Sequence, residues 1–215
     1  MTPNGLFQIL IYFVVILLLT KPMGVFMVRL FEGKRTFLHP VLRPLETLTY
    51  RLAGVREDVE QRWTQYTFAL IAFSIFCFLF VYLLQRLQGV LPFNPQGFNA
   101  SNVSPDLAFN TAVSFVTNTN WQAYSGESTL SYFVQMAALT VQNFASAAVG
   151  IAGAIALVRG FSRQQTNTIG NFWVDLTRAV VYILLPISLM AALFFCSQGV
   201  IQNFDHYTHF KTLEG

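Results

Sequence analysis

Charge is what this chain has least of: 11% of its 215 residues are Asp, Glu, Lys or Arg, against roughly 25% in a soluble globular domain. The formal charge of +3 is small, and the cations do not gather into a face that could neutralise a nucleic-acid backbone, which excludes that class of partner. Cysteine is nearly absent. Cys77 and Cys196 each sit inside a long apolar run, so neither a disulfide framework nor a zinc site is expected. Of three histidines, His39 stands alone, and His206 and His209 share a loop without a nearby thiolate, a poor metal site. No phosphate-cradling glycine loop and no phosphorylatable acid in a catalytic setting is found, so the chain is read as a non-enzyme. The Asn99-Ala-Ser101 and Asn102-Val-Ser104 tripeptides match a glycosylation acceptor, a pattern short enough to arise by chance.

What is abundant is apolar surface. Hydrophobic residues make up 54% of the chain, with 22 Phe, more rings than a soluble domain of this length can hide. Four stretches suit a bilayer whose hydrocarbon core needs about 20 apolar residues: Leu6 to about Val28, interrupted at Lys21-Pro22; Thr64 to Gln85; about Leu130 to Val158; and about Ala179 to Cys196, bent near Pro186. The first has no cation ahead of it and no small-residue cleavage site, so it reads as a retained helix rather than a signal peptide. Arg29, Lys34, Arg35, Arg43, Arg51, Arg56 and Arg62 lie between spans one and two, and Arg159, Arg163 and Arg178 between spans three and four. The other side has only Arg86 and, in the tail, Lys211. By the positive-inside rule both chain ends are then outside.

In the first basic loop, residues 44–54 open on Pro44 and close on Gly54, as helices often do, with Leu45, Leu48 and Leu52 on one face. Two readings stand: a helix on the membrane surface or against a partner subunit, and a helix packed under the bundle.

Between spans two and three runs a segment too long and too apolar for a plain external loop. Ser104-Pro105-Asp106 has the marks of a helix start: a side-chain cap, Pro in the first turn and an acid at the positive dipole end. The apolar stretch to Val116 then covers roughly 18 Å, about half a membrane. A half-helix entering from outside must turn near mid-depth, and the residues there are Thr117, Asn118, Thr119 and Asn120. Irregular backbone at that depth is tolerated only when buried in protein or lining a water-filled cavity. One reading makes this turn a set of neutral oxygens replacing the water around a cation, at the carbonyl end of a helix; the other makes it a polar external turn. In span three, Gln135, Thr140, Gln142, Asn143 and Ser146 are expected to face the bundle interior, and Ser146, Gly150 and Ala154 to allow close helix approach.

SFVTNTNWQ, then YSGE, TLSYF and TVQNF, together with LPFNPQ, GNFWVDLTR and RLAGV, resemble KdpA, the potassium-binding, channel-like subunit of the Kdp-type ATP-driven potassium pump, over nearly the whole chain. The resemblance implies an all-α membrane protein with potassium-channel-like helix, pore-loop, helix repeats preceded by an extra transmembrane helix. Here that means one membrane domain over 1–215: the extra helix at 1–30, a first repeat at 64–158, and at 176–200 the first helix of an incomplete second repeat. It implies Thr117, Asn118, Thr119 and Asn120 as one wall of a selectivity filter with Gln122 at its outer mouth, and potassium as the transported ligand with no other cofactor or metal. It further implies a KdpB-like P-type ATPase partner, KdpC-like and KdpF-like subunits, and a bacterial inner membrane. The outer acids Asp106 and Glu127 are a helix-start acid and a mouth-lining charge. The family's members are much longer, so the resemblance implies a fragment. Two rivals stand beside it, an autonomous potassium channel or uptake protein of the same superfamily and a non-transporting membrane scaffold.

Overall fold

The computed structural model describes residues 2–163 and 166–207; His209 and Lys211 lie outside them. Helices follow one another as α1 (Pro3–Phe31), α2 (His39–Ala53), α3 (Trp63–Arg86), α4 (Pro105–Val116), α5 (Gly126–Thr129), α6 (Val134–Ser162) and α7 (Phe172–Ser197). No strand forms among the described residues. α1, α3, α6 and α7 are each long and apolar enough to cross a membrane, and the protein is an all-α, multi-pass membrane protein. The chain divides into two compact units, Met1–Gly54 and Val55–Gly215.

In the first unit, Thr2 caps α1 by accepting from the Gly5 amide at 3.3 Å. The interruption expected at Lys21-Pro22 is not there: Pro22 lies inside a continuous helix. In lipid, forfeiting one hydrogen bond at a proline costs less than ending the helix and stranding several backbone groups. α2 starts at His39 rather than Pro44 because Pro40 supplies the first-turn proline. It ends as expected on Gly54, whose φ of 65° is the left-handed conformation that glycine adopts without strain.

In the second unit α3 packs on α4, α6 and α7. One core cluster joins Val81 of α3, Ala108, Ala112 and Phe115 of α4, and Val134 and Ala138 of α6. Another joins Tyr66 and Ala69 of α3, Ala152 and Ala156 of α6, and Phe172 of α7. The close-approach face of α6 is therefore Ala148, Ala152 and Ala156, next to the expected Ser146, Gly150 and Ala154 row, of which Gly150 and Ala154 are exposed.

α6 and α7 both start away from their expected ends. Leu130 is extended, closing α5, so α6 begins at Val134 and its first seven residues, Val134–Thr140, are π-helical. Thr140 Oγ1 donates to Gln135 O, five residues back, at 2.9 Å. α7 begins at Phe172, where the Asn171 side chain accepts from the Trp173 amide at 3.1 Å. Its own π-helical stretch, Ala179–Leu184, lies just ahead of Pro186, where the missing proline N–H disturbs the ladder.

At the end of the unit opposite α4's entrance, the loops before α3 and before α7 are joined. The Gln61 amide donates to Gly170 O at 2.6 Å, and the Ile169 amide to Gln61 O at 3.0 Å. Arg163 holds Glu60 at 3.0 Å. The Thr168 hydroxyl, and after it Arg163, keep the Glu60 carboxyl below the usual carboxylate range despite partial burial. Being depressed on folding, this group supports the loop pair at neutral pH and ceases to do so as pH falls through its folded-state pKa. Gly170 has φ 106°, and a Cβ there would overlap the Arg159 guanidinium. Gly170→Ala is expected to destabilise the protein by more than 1 kcal/mol, combining backbone strain with displacement of a buried guanidinium; thermal unfolding in detergent checks it.

Candidate ion-binding site

Helix α4 enters the unit from one end and stops halfway through it. At its start, Gln85 Nε2, in the last turn of α3, donates to Ala108 O at 3.3 Å, and Arg86 donates to Val103 O. At its finish, Asn118 Oδ1 lies 3.2 Å from Ser146 Oγ, near the middle of α6. Twelve residues carry the chain between these levels, roughly 18 Å at 1.5 Å per residue. The way back is held by Gln88, immediately beyond α3. Its Nε2 donates to Asn99 O at 2.9 Å and Thr129 O at 3.0 Å, and its Oε1 accepts from the Ser131 amide at 3.1 Å. The segment thus enters and leaves at the same end.

Ser104 begins α4, though not as a side-chain cap. Instead its hydroxyl bonds the Asp106 carboxylate, which with the Asp106 and Leu107 amides holds that carboxyl below its ordinary range. Glu127, at the same end, is lowered by its own amide and by the Ser125 hydroxyl. Both are ionised at neutral pH. The opposite end carries Arg62, Arg159, Arg163 and Arg178.

The turn at the bottom is organised by Ser114, which is fully buried. Its carbonyl accepts from the Thr119 amide at 3.0 Å and the Asn120 amide at 3.2 Å, and its hydroxyl donates to Trp121 O at 2.7 Å. The Thr117 amide bonds Val113 O at 3.0 Å and the Asn118 amide Phe115 O at 3.2 Å. Four successive N–H groups therefore point back at the carbonyl end of α4. No peptide bond here is cis, and in a trans peptide the carbonyl points opposite to the N–H that follows it. The carbonyls of Thr117, Asn118 and Thr119 accordingly all turn away from α4, and none of them accepts a hydrogen bond among the described residues.

This arrangement needs an unusual backbone. Asn118 and Asn120 both have φ 58°, the left-handed region that asparagine enters more readily than most residues, whereas Thr117 has φ −81°. Alternation of handedness keeps consecutive peptides facing one way, where a strand would alternate them.

The expected site residues play unequal parts. The Thr117 hydroxyl is turned back to Val113 O at 2.9 Å and also lies 2.9 Å from the Thr119 hydroxyl, so these side chains brace the turn and leave their carbonyls free. Asn118 reaches Ser146, whose hydroxyl is also 2.8 Å from Gln142 O. Asn120 and Gln122, like Thr117, Asn118 and Thr119, are exposed. Gln122 lies beside Tyr124, whose phenol is pushed up by burial and eased back by Thr111 and Gln122. In α6, Gln142 and Ser146 are buried as expected, and Gln135 bonds Leu130 O at 2.9 Å. Thr140 and Asn143 are exposed, a departure from the expected inward face. Ser114 and Gln88 are not legible as site residues in the sequence: one serine in an apolar helix and one glutamine at a span end are common, and the Thr129 and Ser131 partners of Gln88 lie some forty residues away.

What the arrangement can do chemically is narrow. Neutral carbonyls at a helix terminus carrying about half a negative charge stabilise a cation. Among the described residues no carboxylate bonds to the turn and no three His, Cys, Asp or Glu side chains converge on a metal site.

The protein-family model described as potassium-transporting ATPase A subunit, KdpA, matches residues 10–215. Among curated proteins, the potassium-transporting ATPase potassium-binding subunit of Solibacter usitatus is 61% identical over all of this chain and 38% of its own length. Proteins of the same name from Koribacter versatilis and Brucella anthropi are each 57% identical, with 36% and 38% of their lengths covered. The chain thus spans little more than a third of the relatives it matches.

Proposed function

Since the chain belongs to the KdpA family of potassium-transporting ATPase A subunits, we propose that Thr117, Asn118, Thr119 and Asn120 form one wall of a filter that takes potassium from outside the cell. The observation that carries this reading is the set of three unpartnered carbonyls, Thr117, Asn118 and Thr119, turned one way by four anchored amides. Such oxygens replace an ion's hydration shell without gripping it as a carboxylate would, which suits an ion that must leave again. Asp106 and Glu127 at the entrance draw cations toward the mouth, where Gln122 stands. The basic loops, between α1 and α3 and between α6 and α7, face the cytoplasm by the positive-inside rule, which puts the N-terminus outside.

One wall cannot surround an ion. The other walls come from further helix, pore-loop, helix repeats of a longer subunit, of which residues 64–158 are the first and residues 176–200 open the second, with residues 1–30 as the extra helix. The assembled subunit hands potassium to a KdpB-like P-type ATPase subunit in the bacterial inner membrane, with KdpC-like and KdpF-like subunits completing the complex. ATP chemistry belongs to that partner, since the relatives are named for potassium binding.

The test is the potassium dependence of ATP hydrolysis by the intact complex. Asn118→Ala and Gln122→Ala are each expected to raise the potassium concentration at half-saturation several-fold, Asn118→Ala more, and to weaken discrimination against sodium. Unchanged potassium dependence in both variants would remove this segment from the ion path.

A further inference from the structure

Helix α2 is folded inside out for a helix in water. Its charged and hydroxyl-bearing side is buried: Glu46 is 1% and Tyr50 6% exposed, with Tyr50 OH donating to Glu46 Oε1 at 2.8 Å and Arg43 paired to Glu46 at 3.0 Å. Its apolar side is out: Val41 is 75%, Leu45 40%, Leu48 51% and Leu52 81% exposed. At about 100° per residue these four fall within an arc of roughly 60°, centred about 150° away from Glu46 and Tyr50. A continuous apolar stripe turned outward marks a surface that something apolar covers.

We propose that this cover is the bilayer itself: α2 lies in the interface of an anionic leaflet, its stripe among the upper acyl chains, and acts as a lipid anchor. Three observations select lipid over a protein. α1 is a membrane-spanning helix, and only the short connection 32–38 separates its end from α2, so α2 is tethered at the membrane surface without any partner. Lys21, Arg29, Arg35 and Arg51 are all exposed, and none of them is paired with an acid among the described residues, which complements an anionic leaflet. Between α1 and the connection lies a cleft of about 520 Å³ lined by Lys21, Phe26, Arg29, Thr36 and Phe37. Two cations and aromatic walls suit a lipid phosphate with the start of its acyl chains. This anchor is independent of the ion site.

The experiment places nitroxide side chains, one at a time, through Val41→Cys, Leu45→Cys, Leu48→Cys, Leu52→Cys and, as a polar-edge control, Arg51→Cys. The intact protein, with Cys77 and Cys196 replaced by Ser, is reconstituted in phosphatidylethanolamine vesicles with or without phosphatidylglycerol. Spin relaxation is expected to be dominated by oxygen at the four stripe positions and by a water-soluble nickel complex at position 51. Removing phosphatidylglycerol should make the stripe shallower. Nickel dominance at the stripe would show it to be hydrated, and protection from both reagents would show that protein covers it; either overturns the proposal. Depth unaffected by phosphatidylglycerol would overturn the anionic selectivity.

Discussion

Asp175→Asn is expected to lower the protein's unfolding free energy by about 3–5 kcal/mol, the range for removing one partner of a buried ion pair. Asp175 is 1% exposed, and its carboxylate accepts from Arg159 Nη1 at 2.5 Å, Arg159 Nη2 at 2.9 Å and Tyr66 OH at 3.1 Å. The Tyr66 hydroxyl also lies 2.8 Å from Ala152 O, so one cluster ties α3, α6 and α7 together. Asparagine fits the space but leaves a guanidinium that is 12% exposed without its countercharge. For a chain of this size the loss corresponds to a fall in Tm of roughly 6–20 °C, read by thermal unfolding in detergent. A paired Arg159→Met, Asp175→Leu variant is expected to recover much of it, because two apolar side chains leave no stranded charge. An Asp175→Asn protein within about 1 kcal/mol of the parent would show the pair to be solvated.

The second large effect separates backbone from side chain at the ion site. Asn118 has φ 58°, where a β-branched residue pays roughly 1–2 kcal/mol, and its side-chain Oδ1 accepts from the Ser146 hydroxyl, a bond of about 1 kcal/mol. Asn118→Val loses both, about 2–3 kcal/mol, and is expected to raise half-saturating potassium in the intact pump by about 30–140-fold, at tenfold per 1.4 kcal/mol. Asn118→Gly keeps the left-handed backbone at little cost and loses only the Ser146 bond, so about fivefold is expected. Equal defects in the two variants would shift the weight from the carbonyls to the asparagine amide. The assay is potassium-stimulated ATP hydrolysis.

Helices announced by composition needed no tertiary information. The span expected at Thr64 to Gln85 is Trp63–Arg86, and the half-helix expected to end at Val116 does so, because runs of apolar side chains and the Pro and Asp of a first turn act locally. Sequence alone starts span four seven residues late, since Asp175 and Arg178 look out of place in a membrane helix until Arg159 and Glu57 are seen beside them. The apolar face of residues 45–52 was legible; its outward turn was not, because the sequence names a stripe without saying which side is buried.

Residue order by itself determined that this is a helical membrane protein with an arginine-rich side and a polar tetrad after a half-length helix, since hydropathy, charge and turn chemistry act over a few neighbours. The tertiary structure decided that Ala148, Ala152 and Ala156 make the close contact in α6, that Gln88 clips the return segment, and that Ser114 gathers the amides of the turn. It also decided that the Thr117 and Thr119 hydroxyls brace this turn while their carbonyls stay free. Each of these depends on where a donor lies relative to an acceptor from another segment, and that distance exists only after the helices have packed.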